Sequence, residues 1–570
     1  MVSAKHLYLL VIIILYPIVS ISQIENDELI GILKEEINRE MDVLSKQENP
    51  VYYIDYRVVE SNNIVIGSSF GSLVSSTIST SRMLSSNVRI GSYSLDNTHD
   101  LSGSNQGYYA SGGEYGTASQ LPLEKGEDAI KQALWRATSQ SYKTANAQYE
   151  AVLNYRRHNQ EIPKSADFSK EPVVEYYEAP LSDFKSRINT DQLENSVKGY
   201  SSLFLNNKHI INAEVTLAIN VERKYFVSSE GSTIAQNMTY CFIWISASAL
   251  ADDGDVVPVY RSYFAYDPKD LPDSEVIKSD IHAMINKLDE LRVAPLAEPY
   301  TGPAILSERS AGVFFHEIFG HRVEGHRLKS ENDGQTFREK IGEKILPKSI
   351  NITFNPSLRN MNGIDLVGAY QYDDEGIKGD QVDVVTSGEL KTFLFDRTPF
   401  DGFHKSNGHG RASAGMKVVS RQSNLLVETS KSYGNDNLRK MLIAECKKQD
   451  KPYGYLFQDV TGGYTFTDRY QPNVFNIMPI EVYRIYVDGR PDELVRGVDL
   501  IGTPLSMFAE IKATGDKTGV FNGICGAESG NVPVSASSPS LFVRRIETQK
   551  KPTFNEEPPL LTKPVSEGNL

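Results

Sequence analysis

Leu29, Ile30, Ile32, Leu33, Ile37, Met41 and Leu44 recur at helical spacing and predict an amphipathic helix. From 51 to 90 the period shortens to two. Ile54, Tyr56 and Val58 fall on one face, and Asn62-Asn63 reads as the turn between strands. A long helix is expected over 125–157, built around Ala129, Ala133, Leu134, Ala137 and Leu153. Strands follow at about 208–228 and 238–249, and Asp252-Asp253-Gly254 turns the chain into 256–266 as a hairpin. Asp273 caps a helix carrying Val276, Ile277, Ile281, Ile285, Leu288 and Leu291, and Ala294-Pro295 marks a boundary. Beyond it the pattern is strand-rich: 363–372, 382–396 around a Ser387-Gly388 turn, 474–487 before Asp488-Gly489, and 532–546. This predicts an α+β chain, with an N-terminal α/β region over 23–293 and a strand-rich, barrel-like C-terminal domain over 294–550.

Two stretches depart from these periods. Residues 93–120 are rich in Gly, Ser, Asn and Tyr and are expected as a loop insertion or lid. Residues 551–570 carry four prolines and little apolar content, which predicts a flexible tail. The N-terminus reads differently again. Lys5 and His6 precede an apolar run from Leu7 to about Ile21, and Ser20-Ile21-Ser22 before Gln23 fits a small-residue cleavage site. Residues 1–22 are therefore expected to be a signal peptide, and the protein to be exported, periplasmic or secreted, without stable membrane insertion after cleavage.

With 570 residues, 40% apolar and 23% charged, the chain has the make-up of a soluble globular protein of two or three domains. Its net charge of −14, without a dense basic patch, argues against nucleic acid as a partner. Three cysteines, Cys241, Cys446 and Cys525, are too few for an exported fold to rest on a disulfide framework. Cys241 sits in an apolar strand and reads as a core thiol; Cys446 lies on a charged helix end and reads as inert.

The densest chemistry is His316-Glu317-Ile318-Phe319-Gly320-His321, on a segment whose apolar face is Ala311, Phe314, Phe315, Ile318 and Phe319. Two imidazoles to hold a metal, with a carboxylate to activate water, are the parts of a zinc hydrolase. The histidines are five apart rather than four, so on a regular α-helix they would diverge by roughly 140°. A π-type turn or a kink would bring them to one face, and Gly320 is where such a distortion is expected to cost least. Two candidates compete for the third ligand. His326 lies five residues beyond His321. Cys525 lies far downstream between Ile524 and Gly526, in a glycine-flanked turn that suits close approach to a metal. Two imidazoles with one thiolate make a known open catalytic set. Asn407-Gly408-His409-Gly410-Arg411 is a polar loop, and His409 or Arg411 is a candidate for oxyanion or substrate contacts.

Further strings run in a recognisable order: Tyr300-Thr301-Gly302-Pro303, the histidine motif with Glu324-Gly325, Asp373-Asp374-Glu375-Gly376, Gly388-Glu389-Leu390-Lys391, the 407–411 loop, Leu500-Ile501-Gly502-Thr503, and Gly523-Ile524-Cys525-Gly526 before Val532-Pro533-Val534. In these the chain resembles the TldD/PmbA family of metallopeptidases, on its metal-bearing, TldD-like side. The resemblance is strong over about 300–545 and weaker over 50–290. It implies a zinc cofactor held by His316, His321 and Cys525, and Glu317 as catalytic base. It further implies peptides or unfolded segments as substrates, and a homodimer or a heterodimer with a related subunit. The metal-free side of the family implies a contrasting role, a non-catalytic binding or scaffold subunit. Three features depart from the family pattern: His326 where a carboxylate is usual, His409 inside the usual Asn-Gly-Arg string, and Ala527-Glu528-Ser529 in place of Lys-x-Gly.

Overall fold

The computed structural model describes residues 24–551, apart from 25, 102–117, 125, 159–164, 182–187, 330–332 and 471–473. The expected signal segment 1–22, most of the 93–120 insertion and nearly all of the tail from 551 lie outside the described residues. Among the described residues no helix is long and apolar enough to cross a membrane.

The first half is an eight-stranded sheet. Its spine runs from Leu95–Asp96 through Ser72–Ser92, Val51–Ser69, Ile210–Ser228 and Thr233–Leu250 to Glu175–Tyr177, and Val256–Ala265 pairs with Thr233–Leu250. Strict alternation along Ile210–Ser228 sends Val215, Leu217 and Ile219 inward at every second residue. Helices Thr190–Ser202 and Ser274–Val293 close the apolar core at that part of the sheet. Helices Glu28–Leu44 and Glu127–His158 close a second one against Ile54, Tyr56, Val58 and Leu84. Asp273 does stand at the start of Ser274–Val293, but its side chain makes no capping bond.

The first hairpin turns at a different place from the expected one. Val51–Ser69 continues through Asn62 and Asn63, which sit opposite Thr80 and Ser79 in the ladder. Reversal occurs at Phe70-Gly71, with φ of 46° and 82°. Asn62 is held in the strand by accepting a hydrogen bond from Thr80 Oγ1 at 2.9 Å, so its turn propensity is overridden by cross-strand pairing.

The second half is an eleven-stranded sheet, part of which closes on itself. Gly530–Lys550 pairs with Val498–Gly502, which pairs with Phe475–Tyr486; next come Tyr453–Thr465 and Thr301–Leu306, and the last pairs back onto Gly530–Lys550. The helix Glu308–Ile318 follows Thr301–Leu306 directly and packs on Gly530–Lys550, with every residue from Ser310 to Ile318 buried. Gly312 makes this possible, because a Cβ there would lie 2.8 Å from the Ala536 carbonyl oxygen.

The expected strand over 363–372 shrinks to the two-residue pairing of Ile364–Asp365 with Asn360–Met361. The rest is loop because its N–H groups go to side chains from elsewhere, Val367 to Asn522, Gly368 to Ser535 and Tyr372 to Gln236 at 3.1–3.3 Å, in place of a ladder. The Ser387-Gly388 turn stands where expected, with φ of 50° and 77°. All three cysteines are buried and free.

Candidate metal centre

Ser307 opens the site helix. Its Oγ accepts from the Ser310 N–H and donates to the Gln458 carbonyl at 2.6 Å, tying the helix start to a neighbouring strand. The other end decides the geometry. The α-helix stops at Ile318, Phe319 adopts φ −120° and ψ −53°, and Gly320–Arg322 form a single 3₁₀ turn. The five-residue spacing is thus absorbed by a helix break with overwinding rather than by a π turn. The two imidazoles come together with ring centroids 4.9 Å apart and planes at 76°.

Gly320 has a different reason from the expected one. Its φ is not positive; instead a Cβ would fall 1.8 Å from Gln422 Oε1. Gln422, on a buried segment, fills that space and donates to the His316 carbonyl at 3.4 Å. Arg322 completes the helix end by donating to the Glu317 carbonyl at 2.7 Å.

Cys525 reaches the same point from the strand Ile511–Ala527. Its Sγ lies 3.4 Å from His321 Nε2, and ligand atoms of His316, His321 and Cys525 all lie within 4.8 Å of one another. Zinc bonds of about 2.0–2.3 Å in a tetrahedron place ligand atoms roughly 3.5 Å apart, so the cluster fits such an ion with small adjustments. His316 Nδ1 is buried with no hydrogen-bond partner among the described residues, and no other acid, cysteine or histidine completes a second such cluster there. Glu317 sits between the rings, with carboxylate oxygens 4.0 Å from Nε2 of both His316 and His321. Gly463 admits it: a Cβ there would lie 2.7 Å from Glu317 Cγ.

The electrostatics follow from burial and neighbours. Burial pushes the Glu317 carboxyl up against the opposing pull of His316 and His321. Burial alone would also raise the Cys525 thiol, but His321 and His316 outweigh it and hold the group well below the ordinary thiol range. Glu324, fully buried, stands 3.3 Å from His321 Nδ1, which leaves Nε2 turned toward the thiolate. Desolvation alone would raise Glu324; His321, Arg327 and Arg421 overcome it and hold it at about 2. Arg421, with no exposed surface, links the two sides. Its Nη2 donates to Cys525 Sγ at 3.3 Å and to the Cys525 carbonyl at 2.8 Å, and its Nε lies 3.5 Å from Glu324 Oε1.

The other candidates lie apart from the cluster. His326 pairs with Glu528, which also accepts from Arg327 Nη2 at 2.9 Å, so the ring is engaged by a carboxylate rather than aimed at the histidines. His409 is fully buried, with Nδ1 3.1 Å from the Asn407 carbonyl and Nε2 3.0 Å from Ser423 Oγ, and burial pushes it down to about 3. Both ring nitrogens are occupied, which removes it from oxyanion duty. Arg411 donates from Nη1 to the carbonyls of Gln422 and Pro533 at 2.6 and 2.8 Å and braces the strands behind the site instead of facing it.

A cavity of about 600 Å³ opens over His316, Glu317, His321 and Cys525. Its walls come from Thr461–Asp468, from Phe521 to Glu528, and from Trp244 and Tyr260 of the first sheet. Sequence reasoning passed over Arg421, Gln422, Trp244, Tyr260 and this 461–468 wall. Gly462-Gly463 before Tyr464-Thr465-Phe466 was the one local signal, two glycines inside a strand marking close approach.

Residues 299–550 match the PmbA/TldA metallopeptidase C-terminal domain. A metalloprotease of Methanocaldococcus jannaschii is 23% identical over 372 residues, 64% of this chain and 77% of that protein. A zinc metalloprotease TldD homolog of Saccharolobus solfataricus is 23% identical over 378 residues, 64% of this chain and 74% of that protein. The crystal structure of TldE from Thermococcus kodakarensis superposes with a TM-score of 0.58 at 12% identity, covering 91% of this chain and 99% of that one, a likeness of fold. Residues 299–550 thus belong to the PmbA/TldA metallopeptidase C-terminal domain family, and the chain as a whole has the fold seen in TldE.

Proposed function

We propose that this protein is an exported zinc peptidase acting on peptides or unfolded polypeptide segments, with His316, His321 and Cys525 as ligands and Glu317 as general base. The observation that carries this reading is the convergence of two imidazoles and a thiolate around one buried carboxylate at the floor of an open cavity. Zinc held there would supply a water that ionises near neutral pH and a Lewis acid for the scissile carbonyl.

The chain's own residues do the rest. Glu317, raised by burial, is suited to accept a proton and to return it to the leaving amine. Glu324 fixes the orientation of His321, so that Nε2 rather than Nδ1 faces the ligand cluster. Arg421 neutralises part of the charge of the thiolate and of Glu324, which keeps two anions tolerable in a buried site. A thiolate donates more charge than an imidazole, so modest turnover is expected. A scaffold subunit has no use for a buried carboxylate wedged between two imidazoles. The expected assembly is a homodimer or a heterodimer with a related subunit. Zinc per chain and hydrolysis of unstructured peptides by the mature protein test the reading together. A protein that binds one zinc and cleaves supports it, and a metal-free, inactive one supports the scaffold role. Export is tested separately by intact mass, with a start near Gln23 expected.

A further inference from the structure

The cavity walls carry information about what enters. Trp244 and Tyr260 belong to the first sheet yet line the same cavity as the ligand cluster. Trp244 is half-buried and lies flat on Phe242, with ring centroids 4.9 Å apart and planes at 7°; Phe242 packs in turn on Phe264 at 5.1 Å. One face of the indole is therefore braced by a fixed stack, and the side chain still reaches the cavity. Tyr464 and Phe466, 46% and 44% exposed and in edge-to-face contact at 5.7 Å, line the same cavity, as does Phe521. Among the charged groups that line it, Arg327 is paired with Glu324 and Glu528, and Glu528 with His326. Aromatic surfaces from three separate segments, lining the same cavity as Glu317, match a bulky apolar side chain.

We infer that the cavity holds an aromatic or large aliphatic side chain of the peptide beside the scissile bond, with Trp244 as the residue that sets this preference. The inference rests on the peptidase reading for what the bound peptide undergoes, but the binding preference stands on the walls alone. It gives the first sheet a part in the site: specificity supplied from one half of the chain, chemistry from the other.

The test uses the full-length Glu317→Gln protein loaded with zinc. Blocked peptides place Phe, Leu, Ala or Glu in turn at each position of a glycine-serine sequence, and calorimetry reads their affinity. At one position Phe should bind about 10-fold or more tighter than Ala, with Leu between them and Glu weakest. Trp244→Ala should bring the Phe-to-Ala ratio to within about twofold, whereas Trp244→Phe should keep most of it. Equal affinity for Phe and Ala at every position, no binding of any peptide, or an unchanged ratio in Trp244→Ala overturns the inference. Turnover by the unsubstituted enzyme separates the two claims. Cleavage without side-chain preference leaves the peptidase reading and removes the aromatic site, while selective binding with no cleavage of any peptide does the reverse.

Discussion

The two sheets are built to different ends. In the first, apolar residues alternate into two helix-covered cores, and its buried ions, such as Arg89 paired with Asp96, stand apart from the ligand cluster. In the second, the helix Glu308–Ile318 is buried from Ser310 onward, and Glu317, Glu324 and Arg421 are buried with it. Burying ions costs free energy unless partners and hydrogen bonds compensate, so an apolar core would have been the cheaper solution. The contrast teaches that the second sheet gathers buried polar groups around the His316, His321 and Cys525 cluster, while the first supplies stability and part of the cavity wall. Substitutions in the two regions should therefore separate function from stability.

The largest separation is expected at Glu317. Glu317→Gln keeps the ligands and should keep zinc and thermal stability, yet lower kcat for peptide hydrolysis by about 10²–10⁴-fold. Metal analysis with steady-state kinetics checks this, and wild-type turnover in the variant would remove Glu317 from the mechanism. Next come the rivals for the third ligand. Cys525→Ala should weaken zinc binding on the order of 10²–10³-fold, whereas His326→Ala should cost at most about 10–100-fold, measured by chelator competition on both. The reverse ranking would show that the thiolate is not a ligand.

In the first sheet's core the effect should fall on stability alone. Leu134, fully buried on the inner face of the helix Glu127–His158, should cost about 2–5 kcal/mol on truncation to Ala. Denaturant unfolding reads this, and zinc affinity of the folded protein should not change. If zinc affinity falls in parallel, the two halves are more tightly coupled than the comparison holds.

The smallest expected effect is a pH dependence. Folded Glu324 is held at about 2 against an ordinary value of 4.5. Because the folded value is depressed, its stabilising contribution is complete above about 4.5 and is lost as pH falls from there through about 2. That contribution is roughly 3 kcal/mol at neutral pH. In metal-free protein, the stability gap between wild type and Glu324→Gln should narrow across that acid window. A gap independent of pH would mean that Glu324 acts through packing and not through charge.

Much of this was legible along the chain. The helix Glu28–Leu44 and the strands Ile210–Ser228 and Phe475–Tyr486 follow from their periods, because burial on one face writes a repeat of 3.6 or 2 into the sequence. The His-Glu-x-x-x-His string marked the metal helix, and its odd spacing implied a break near Phe319, where the α-helix ends. Where reading failed, contacts distant in sequence had overridden local preference. Asn62-Asn63 lost its turn to a cross-strand partner, the 363–372 strand lost its ladder to the side chains of Asn522, Ser535 and Gln236, and His409 was drawn into the core by Asn407 and Ser423.

By itself the sequence determined which elements form, which segment carries the two histidines and the carboxylate, and that they could not share an ion on a straight helix. These are consequences of chain geometry over a few residues. The tertiary structure decided the rest. It brought Cys525 to His321 across 204 residues, because Gly530–Lys550 closes the ring of strands beside the site helix and carries its hairpin partner with it. It set Arg421 between thiolate and Glu324, gave Gly320 its purpose through Gln422, and placed Trp244 in the cavity wall. No local pattern encodes such meetings, since each joins residues far apart in the chain, 104 for Arg421 and Cys525 and 204 for Cys525 and His321.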